Sequence, residues 1–567
     1  MLMRPFTPLP LSFLISCQNA PSLARPAHPV RPVRPAWHAL ALAAMLSLAG
    51  AQAAQAQTAG NLPGSLPGTS ASLLPALGDS SELPAATERR IGDRIALSIY
   101  RDPDYVDDPV LSDYLQSVWQ PLLAAARARG ELAPELDERF AWEVFLIRDR
   151  TVNAFALPGG YFGVNLGLIS TVSSTDEMAA VLAHEISHVT QRHISRLMTQ
   201  QSRQAPWMIA AMILGALAAS KHPDAGTAAI VGGQALAAQG QLNFSRDMER
   251  EADRVGFGVM SDAGYASRGV ASMFDKLQQA SRLNDNGSFP YLRSHPLTTE
   301  RIAEAQARVQ LASASAPKAS PSQQASDAQA QRLHAMMAAR ARILAAPGVD
   351  TLRAALAEAR RRAAALPAAA AGGSAQDCGA LYGGALAAAQ LRDFPAARSL
   401  LKQLNPLVAG ASKSAKAVEL LAIDIELLDG KLPPSAATVD IGRLTARAEL
   451  LTQARALMAA GRAPDVSQAL RVWVAEHPKD ALAWQLLAQA YGQQNQPVRA
   501  IRADAESRVA QLEYTGALDR LKAAQALMRS QPGSADYVDG SIIDTRTRQV
   551  ESMVKEQALQ DKIDQKM

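Results

Sequence analysis

Two histidines and a glutamate within five residues could together hold and use a metal ion. His184, Glu185 and His188 form an H-E-x-x-H pattern inside the apolar, helix-forming run 181–188. Residues four apart share one face of an α-helix, so both imidazoles could bind one Zn²⁺ while Glu185 reaches the water on the metal. Zinc lowers the pKa of such a water to about 7, and a nearby carboxylate can then accept its proton. The spacing therefore predicts a hydrolase site; the alternative is an amphipathic helix that contains two histidines by chance.

A second predicted helix, residues 247–256, offers the third ligand. Glu249 lies four residues before Asp253, so both carboxylates face the same way. One could bind zinc while the other accepts the free N–H of a ligating imidazole. Glu251 would face elsewhere and be solvated. An exposed charged helix is the ordinary interpretation of such a run, but a preceding H-E-x-x-H favours a metal site.

Four segments resemble the BepA/YfgC-like periplasmic zinc metalloproteases, which are related to HtpX and to the CaaX prenyl proteases. The segments are residues 153–165, 184–188, 249–253 and 294–301. Together with the helical C-terminal half, the resemblance covers roughly residues 80–530. It implies that His184, His188 and Glu249 bind zinc. It also implies that Glu185 is the catalytic general base and that Asp253 supports the ligands.

His295 is a candidate fourth ligand, placed in a predicted loop ahead of Arg301. A lone loop histidine is usually solvated, but the resemblance favours a role at the metal. As a fourth protein ligand it would close the site and make the enzyme latent, because a catalytic zinc keeps one position for water. As a transition-state stabiliser it would instead assist the reaction.

The N-terminal residues predict export from the cytoplasm. Residues 1–56 contain four arginines, no acidic residue, an apolar run at 39–51 and a small-residue sequence at 54–56. These features are typical of a signal peptide cleaved after Ala56, followed by a flexible leader at 57–81. Without those arginines the formal net charge falls from +4 to 0, which argues against nucleic-acid binding. Only Cys378 then remains, so no internal disulfide is expected.

The predicted peptidase domain spans residues 82–311. Helical patterns cover 88–100 and 110–126, the second broken at Pro121, and a strand covers 142–147. Residues 153–169 predict a hairpin around Pro158-Gly-Gly160, which is either ordinary core or an edge that binds an extended peptide by strand addition. A single active-site helix is expected over 176–198, with His193 unassigned.

Residues 205–240 are unusually apolar but too short to span a bilayer as one helix. We expect a buried helical hairpin, although the segment could also contact a membrane surface peripherally.

The C-terminal half predicts helical repeats. An Ala/Ser/Pro/Gln-rich linker is expected at 312–335, a repeat domain at 336–535 and a tail at 536–567. The W-x-x-L-A-x-x-Y sequence at 484–491, with Leu450 34 residues before Trp484, fits the tetratricopeptide (TPR) pattern. Residues 382–404 look like a further unit, while a generic alanine-rich bundle is the alternative.

These observations predict an α+β fold, a mostly helical zincin-type metalloprotease domain with a small β-sheet followed by an all-α TPR-like domain. They favour a periplasmic zinc endopeptidase with one Zn²⁺ per subunit. The resemblance implies misfolded or misassembled outer-membrane proteins as substrates, a chaperone role, and contact with the outer-membrane assembly machinery through the repeats. The alternative is a repeat-based chaperone or scaffold with a dormant or structural zinc site.

Overall fold

The structure is a computed structural model that describes residues 83–201, 246–282, 290–315, 320–366, 373–531 and 537–564. The predicted signal peptide, most of the region before the first helix and the apolar segment 205–240 lie outside these residues. Within the described part of the chain, no helix is both long and apolar enough to cross a membrane.

The first half of the described chain combines helices with one small sheet. Its helices are α1 (Ala85–Arg101), α2 (Pro109–Ala128), α3 (Pro134–Arg139), α4 (Leu166–Thr171), α5 (Thr175–Thr190), α6 (His193–Gln201), α7 (Arg246–Asp262), α8 (Arg268–Arg282), α9 (Tyr291–Ser294) and α10 (Thr299–Ser315). Its strands are β1 (Tyr105–Val106), β2 (Glu143–Ile147), β3 (Ala154–Leu157) and β4 (Tyr161–Asn165).

The second half, as far as the structure describes it, is helical. Its α-helices are α11 (Pro321–Ala345), α12 (Val349–Ala365), α13 (Ala375–Gln390), α14 (Phe394–Leu407), α15 (Ser412–Leu428), α16 (Ser435–Thr438), α17 (Arg447–Ala459), α18 (Ala463–Glu476), α19 (Ala481–Gln493), α20 (Pro497–Ala510), α21 (Tyr514–Ser530) and α22 (Tyr537–Asp564). The predicted fold class, a mostly helical α+β part followed by an all-α repeat part, is confirmed.

The sheet places a strand edge beside α5. The strand order is β1-β2-β4-β3, with β2 parallel to β4 and β3 antiparallel to β4. Gly159 and Gly160 form the β3–β4 turn with φ of 75° and 77°, a conformation that glycine adopts without steric cost. The predicted hairpin is therefore present, but its second strand ends at Asn165 and α4 follows, so the prediction of a hairpin through Ile169 was wrong.

Helix α2 does not break at Pro121, in contrast to the sequence prediction. Proline removes one backbone hydrogen bond, but buried residues flank it on the same helix, including Val118, Trp119, Leu122 and Leu123. Their packing outweighs the lost bond, and the helix continues to Ala128.

The predicted active-site helix 176–198 is two helices. Ser174 caps α5 by accepting a hydrogen bond from the Glu177 N–H at 3.1 Å. The helix ends at Thr190, and Arg192 adopts a left-handed conformation with φ of 56°. Because the chain turns there, α6 starts in a new direction at His193.

One hydrophobic core joins the two halves. Met336, Met337 and Ile343 of α11 are buried in the same cluster as residues of α2, α4 and α5. Much of the stretch 312–335 that was predicted as a linker is helical, since α10 ends at Ser315 and α11 begins at Pro321. The predicted domain boundaries as a whole stay a prediction.

The later helices stack as pairs at nearly constant spacing. Helices α17, α19 and α21 start at Arg447, Ala481 and Tyr514, so successive units are 34 and 33 residues apart. The N-terminal end of α17 lies against α2, where the Ala448 N–H donates to Asp113 at 2.9 Å, and the residue before α21 pairs with α1. Arg447 binds Asp107 at 3.0 Å, and Glu513 pairs with Arg101 at 3.3 Å.

Candidate metal centre

Helices α5 and α7 pack closely enough to bring their polar side chains together. Gly256 makes this approach possible, because a Cβ at this position would lie 3.1 Å from the backbone of Ala183. The two histidines of the H-E-x-x-H pattern project from α5 towards Glu249 on α7. His295, the residue directly after the short α9, reaches the same point.

Four buried side chains form what we call the metal group: His184, His188, Glu249 and His295. Their nearest nitrogen and oxygen atoms all lie within 4.8 Å of one another. His184 Nε2 is 3.0 Å from His188 Nε2 and 3.3 Å from His295 Nδ1. Glu249 Oε1 is 3.0 Å from His295 Nδ1 and 3.4 Å from His188 Nε2.

These donors fit a tetrahedral zinc ion. Zinc binds nitrogen and oxygen at 2.0–2.2 Å, which places neighbouring ligand atoms of a tetrahedron about 3.3 Å apart. The distances in the metal group lie close to this value. Three imidazoles and a carboxylate are also a donor set that zinc accepts.

Asp253 and Arg301 surround the metal group. Asp253 Oδ1 lies 3.1 Å from His184 Nδ1, on the far side of the ring from the other ligands. Arg301 binds both Asp253 oxygens, at 2.7 and 2.9 Å, and its Nη1 lies 2.7 Å from Glu249 Oε2. Arg301 was noticed in the sequence but given no role; its position in the fold makes it the counter-charge of both carboxylates.

The carboxylates favour positive charge at the metal group. Burial alone would lower the pKa of His184, but Asp253 and Glu249 raise it to about 10. Burial, and then the charge of His184, lowers the pKa of His188 well below 6.5, which favours the neutral imidazole that binds metals. Glu249 stays ionised, because the charges of His295 and His184 lower its pKa against the effect of burial.

Glu185 lies between the metal group and the sheet edge. Its Oε2 accepts a hydrogen bond from the Ala156 N–H of β3 at 3.1 Å, so this N–H points away from β4. Its Oε1 is 3.4 Å from His295 Nε2. Burial raises the pKa of Glu185 above its ordinary 4.5, which suits a group that must accept and return a proton.

His193 and Glu251 also belong to the surroundings of the metal group, and sequence reasoning missed both. His193 Nδ1 lies 2.8 Å from His188 Nδ1, and its Nε2 lies 3.0 Å from Glu251 Oε2. Glu251 lies outside the metal group, as expected, and its side chain is 31% exposed, but its carboxylate also pairs with Arg196 at 2.8 Å. On the single helix expected from the sequence, His193 would point away from His188; only the turn at Arg192 brings it back.

Residues 111–309 match the sequence profile of peptidase family M48. This stretch runs from α2 into α10 and contains the whole metal group. This part of the chain is therefore similar to the M48 peptidases. The chain is also similar to the mitochondrial metalloendopeptidase OMA1 of Arabidopsis thaliana, which is 29% identical over 195 residues, 34% of this chain and 36% of that protein.

Bacterial relatives include one that matches most of the chain. The beta-barrel assembly-enhancing protease of Escherichia coli strain K12 is 29% identical over 448 residues, 77% of this chain and 84% of that protein. A Vibrio cholerae protein named "Putative beta-barrel assembly-enhancing protease" is 37% identical over 217 residues. That match covers 38% of this chain and 43% of the length of the Vibrio protein.

Proposed function

We propose that this chain is a zinc endopeptidase of the periplasm that acts on unfolded or misassembled outer-membrane proteins. The observation that supports this most directly is the position of Glu185. Its carboxylate contacts the edge strand β3 on one side and His295 of the metal group on the other. A proton acceptor placed between a metal group and an edge strand suits hydrolysis of an extended peptide.

His184, His188 and Glu249 would hold the zinc ion, and His295 could add a fourth donor. Zinc bound there supplies a Lewis acid that polarises the substrate carbonyl and lowers the pKa of water. Glu185 accepts the proton of the attacking water and delivers it to the departing amine nitrogen. Asp253 accepts the Nδ1–H of His184 and so keeps its Nε2 free to bind the ion.

The substrate would bind as an added strand on β3. Among the described residues β3 is an edge of the sheet, and the Ala156 N–H already points outwards. Backbone hydrogen bonds to such an edge select an extended chain with little regard to its side chains. This requirement suits unfolded or misassembled proteins, which expose extended segments.

The substrate class is inferred from the relatives. The Escherichia coli and Vibrio cholerae proteins are named for the assembly of β-barrels. The helical repeats would hold such clients or the assembly machinery, with a chaperone role beside proteolysis, since stacked repeats form extended binding surfaces.

The alternative is a chaperone or scaffold whose zinc site is dormant or structural. One observation favours it: with His295 included, the metal group has four protein donors. Closed four-ligand sites are typical of structural zinc, whereas catalytic sites keep a position for water.

Glu185→Gln tests the peptidase directly. The variant should bind zinc like the wild type, because Glu185 is not one of the proposed ligands. It should lose cleavage of casein by about 100-fold or more, because general base catalysis typically contributes a factor of 10²–10⁴. Zinc content and casein turnover are measured on the same preparations.

Glu135→Gln is the matched control, since this glutamate lies in α3 with its side chain 65% exposed. It should cleave casein like the wild type. Equal proteolysis by wild type and Glu185→Gln would reject the peptidase. A wild-type protein that cleaves no casein but still prevents aggregation of an unfolded protein would support the chaperone or scaffold alternative.

A further inference from the structure

His188 has a buried histidine behind it. Helix α5 ends two residues after His188, and the left-handed Arg192 turns the chain so that His193 starts α6. The two rings meet edge to face, with centroids 4.9 Å apart and planes at 71°. Their Nδ1 atoms are 2.8 Å apart, and His193 is fully buried. This distance is that of a hydrogen bond between the two rings.

The other nitrogen of His193 faces a carboxylate. Nε2 is 3.0 Å from Glu251 Oε2, the same oxygen that receives the Arg196 guanidinium at 2.8 Å. Glu251 is two residues from the ligand Glu249 on α7. The contacts His188–His193–Glu251 therefore connect α5, α6 and α7 behind the metal group.

With a neutral His193, the contacts favour one arrangement of protons. An ionised carboxylate can only accept, so His193 donates from Nε2 to Glu251. A neutral His193 then has a bare Nδ1, which accepts the Nδ1–H of His188. The Nε2 of His188 is left with its lone pair, directed towards His184 and Glu249. In the reverse arrangement the lone pair of His193 would face the carboxylate, and an N–H of His188 would point into the metal group.

The two α5 ligands thus differ in their support. The Nδ1 atom of His184 contacts a carboxylate directly, since Asp253 Oδ1 lies 3.1 Å away. His188 reaches its carboxylate through a second imidazole. We propose that His193 is a positioning residue, a role that rests on the metal site of the proposed function. Held by Glu251, His193 fixes the tautomer of His188 that binds a divalent cation. Partners of this kind typically change metal affinity by 10–100-fold.

A pair of substitutions at one position tests this role. His193→Asn keeps an acceptor near the position of Nδ1, whereas His193→Phe fills the space without one. Zinc affinity of the full-length protein is measured by competition with a chelator of known affinity. His193→Phe should weaken zinc binding by roughly 10–100-fold, and His193→Asn should restore most of the loss. Equal affinity of His193→Phe and wild type, or equal losses in both variants, would overturn the proposal.

Glu251→Ala provides a second test that leaves the buried rings in place. It frees His193 to take either tautomer, so zinc binding should weaken although less than in His193→Phe; unchanged affinity would contradict the role of Glu251. His334→Phe and His334→Asn are the matched controls, because His334 is equally buried but bonds Tyr114 and the Val172 carbonyl away from the metal group. They should change thermal stability without changing zinc affinity.

Thermal unfolding of the zinc-free variants separates positioning from folding. A purely structural His193 would lower the melting temperature of the zinc-free protein, and asparagine would not rescue zinc affinity. Wild-type protein that binds no zinc would refute the metal site itself, a result distinct from any difference among the variants.

Discussion

Arg301 connects the metal group to the segment that contains His295. Besides its contacts with Glu249 and Asp253, it donates a hydrogen bond to the Pro296 carbonyl at 2.8 Å. The Tyr291 ring stacks on His295, with centroids 4.5 Å apart and planes at 27°. His295 is therefore held in the metal group by neighbours on both sides of it in the chain.

His295→Ala distinguishes a latch from a catalytic aid. If His295 occupies the position that water needs, the variant should retain zinc on its three remaining ligands and cleave casein, or itself, faster than the wild type. Casein turnover and zinc content are measured together. Lower turnover with zinc retained would reject the latch and support transition-state stabilisation. The exposed His477 provides a control, since His477→Ala should leave both quantities unchanged.

At the residue scale, local patterns were the predictable part. The spacing of His184 and His188, and of Glu249 and Asp253, follows from helix geometry alone, and the fold brings all four side chains together. His193 and Arg301 depend on other information. The position of His193 depends on the turn at Arg192. The position of Arg301 depends on a contact between α7 and α10, whose residues Asp253 and Arg301 are 48 apart in the chain.

At the scale of elements, a buried ion pair joins α11 to the start of α2. Arg340 binds Asp108 with both its Nε and Nη2 atoms, the closest approach being 2.7 Å, and the two side chains are only 7% and 11% exposed. Asp108 is also the N-cap of α2, accepting the Leu111 N–H at 2.9 Å. Hydrophobic periodicity gives no sign of such a pair, because its members are 232 residues apart.

Asp108→Asn should destabilise the protein by about 3 kcal/mol, because it leaves the buried Arg340 charge with the more distant Asp424, 3.9 Å away, as its remaining described carboxylate partner. Asparagine is also a good N-cap, so the loss reports the ion pair and not the helix start. Urea unfolding at pH 7 measures the effect. Asp137→Asn is the control: its pair with Arg127 is exposed, so the change should stay below about 1 kcal/mol. Equal effects of the two substitutions would contradict the importance of burial.

The effect of Asp108→Asn on the free energy of unfolding should depend on pH. Burial alone would raise the pKa of Asp108, but the Arg340 guanidinium holds it below 3.8. A carboxyl whose pKa is lower in the folded than in the unfolded chain stabilises the fold above the unfolded value, and the contribution is lost as the pH falls through the folded value. The difference in unfolding free energy between wild type and Asp108→Asn should therefore be constant from pH 7 to 5 and shrink below 3.8. A difference that grows in acid would contradict this assignment.

At the scale of the whole molecule, the peptidase part and the first repeat helices share a core. Met336, Met337 and Ile343 are at most 1% exposed and pack in the cluster that contains α4. Each such side chain contributes about 1.5–3 kcal/mol when buried. A chain cut in the predicted linker near residue 315 would lose these contacts and expose their apolar partners.

Truncation after residue 315 should therefore abolish cooperative folding, whereas truncation after residue 536 should preserve it. The second cut removes only α22 of the described elements and leaves the shared core intact. Circular dichroism during thermal unfolding and binding of a hydrophobic dye measure the outcome. A chain ending at 315 that unfolds cooperatively and cleaves casein would show instead that the peptidase part is an independent domain.

The shared core also determines how much of the chain must be present before the metal group can form. His295 precedes α11 in the chain, and the core also needs α15, which ends at Leu428, and Ala448 and Ala456 of α17. Arg94 of α1 has its partner Asp561 467 residues later in the chain. A chain that has emerged only as far as its ligand residues therefore lacks the fold that aligns them, so the proposed hydrolysis requires most of the protein.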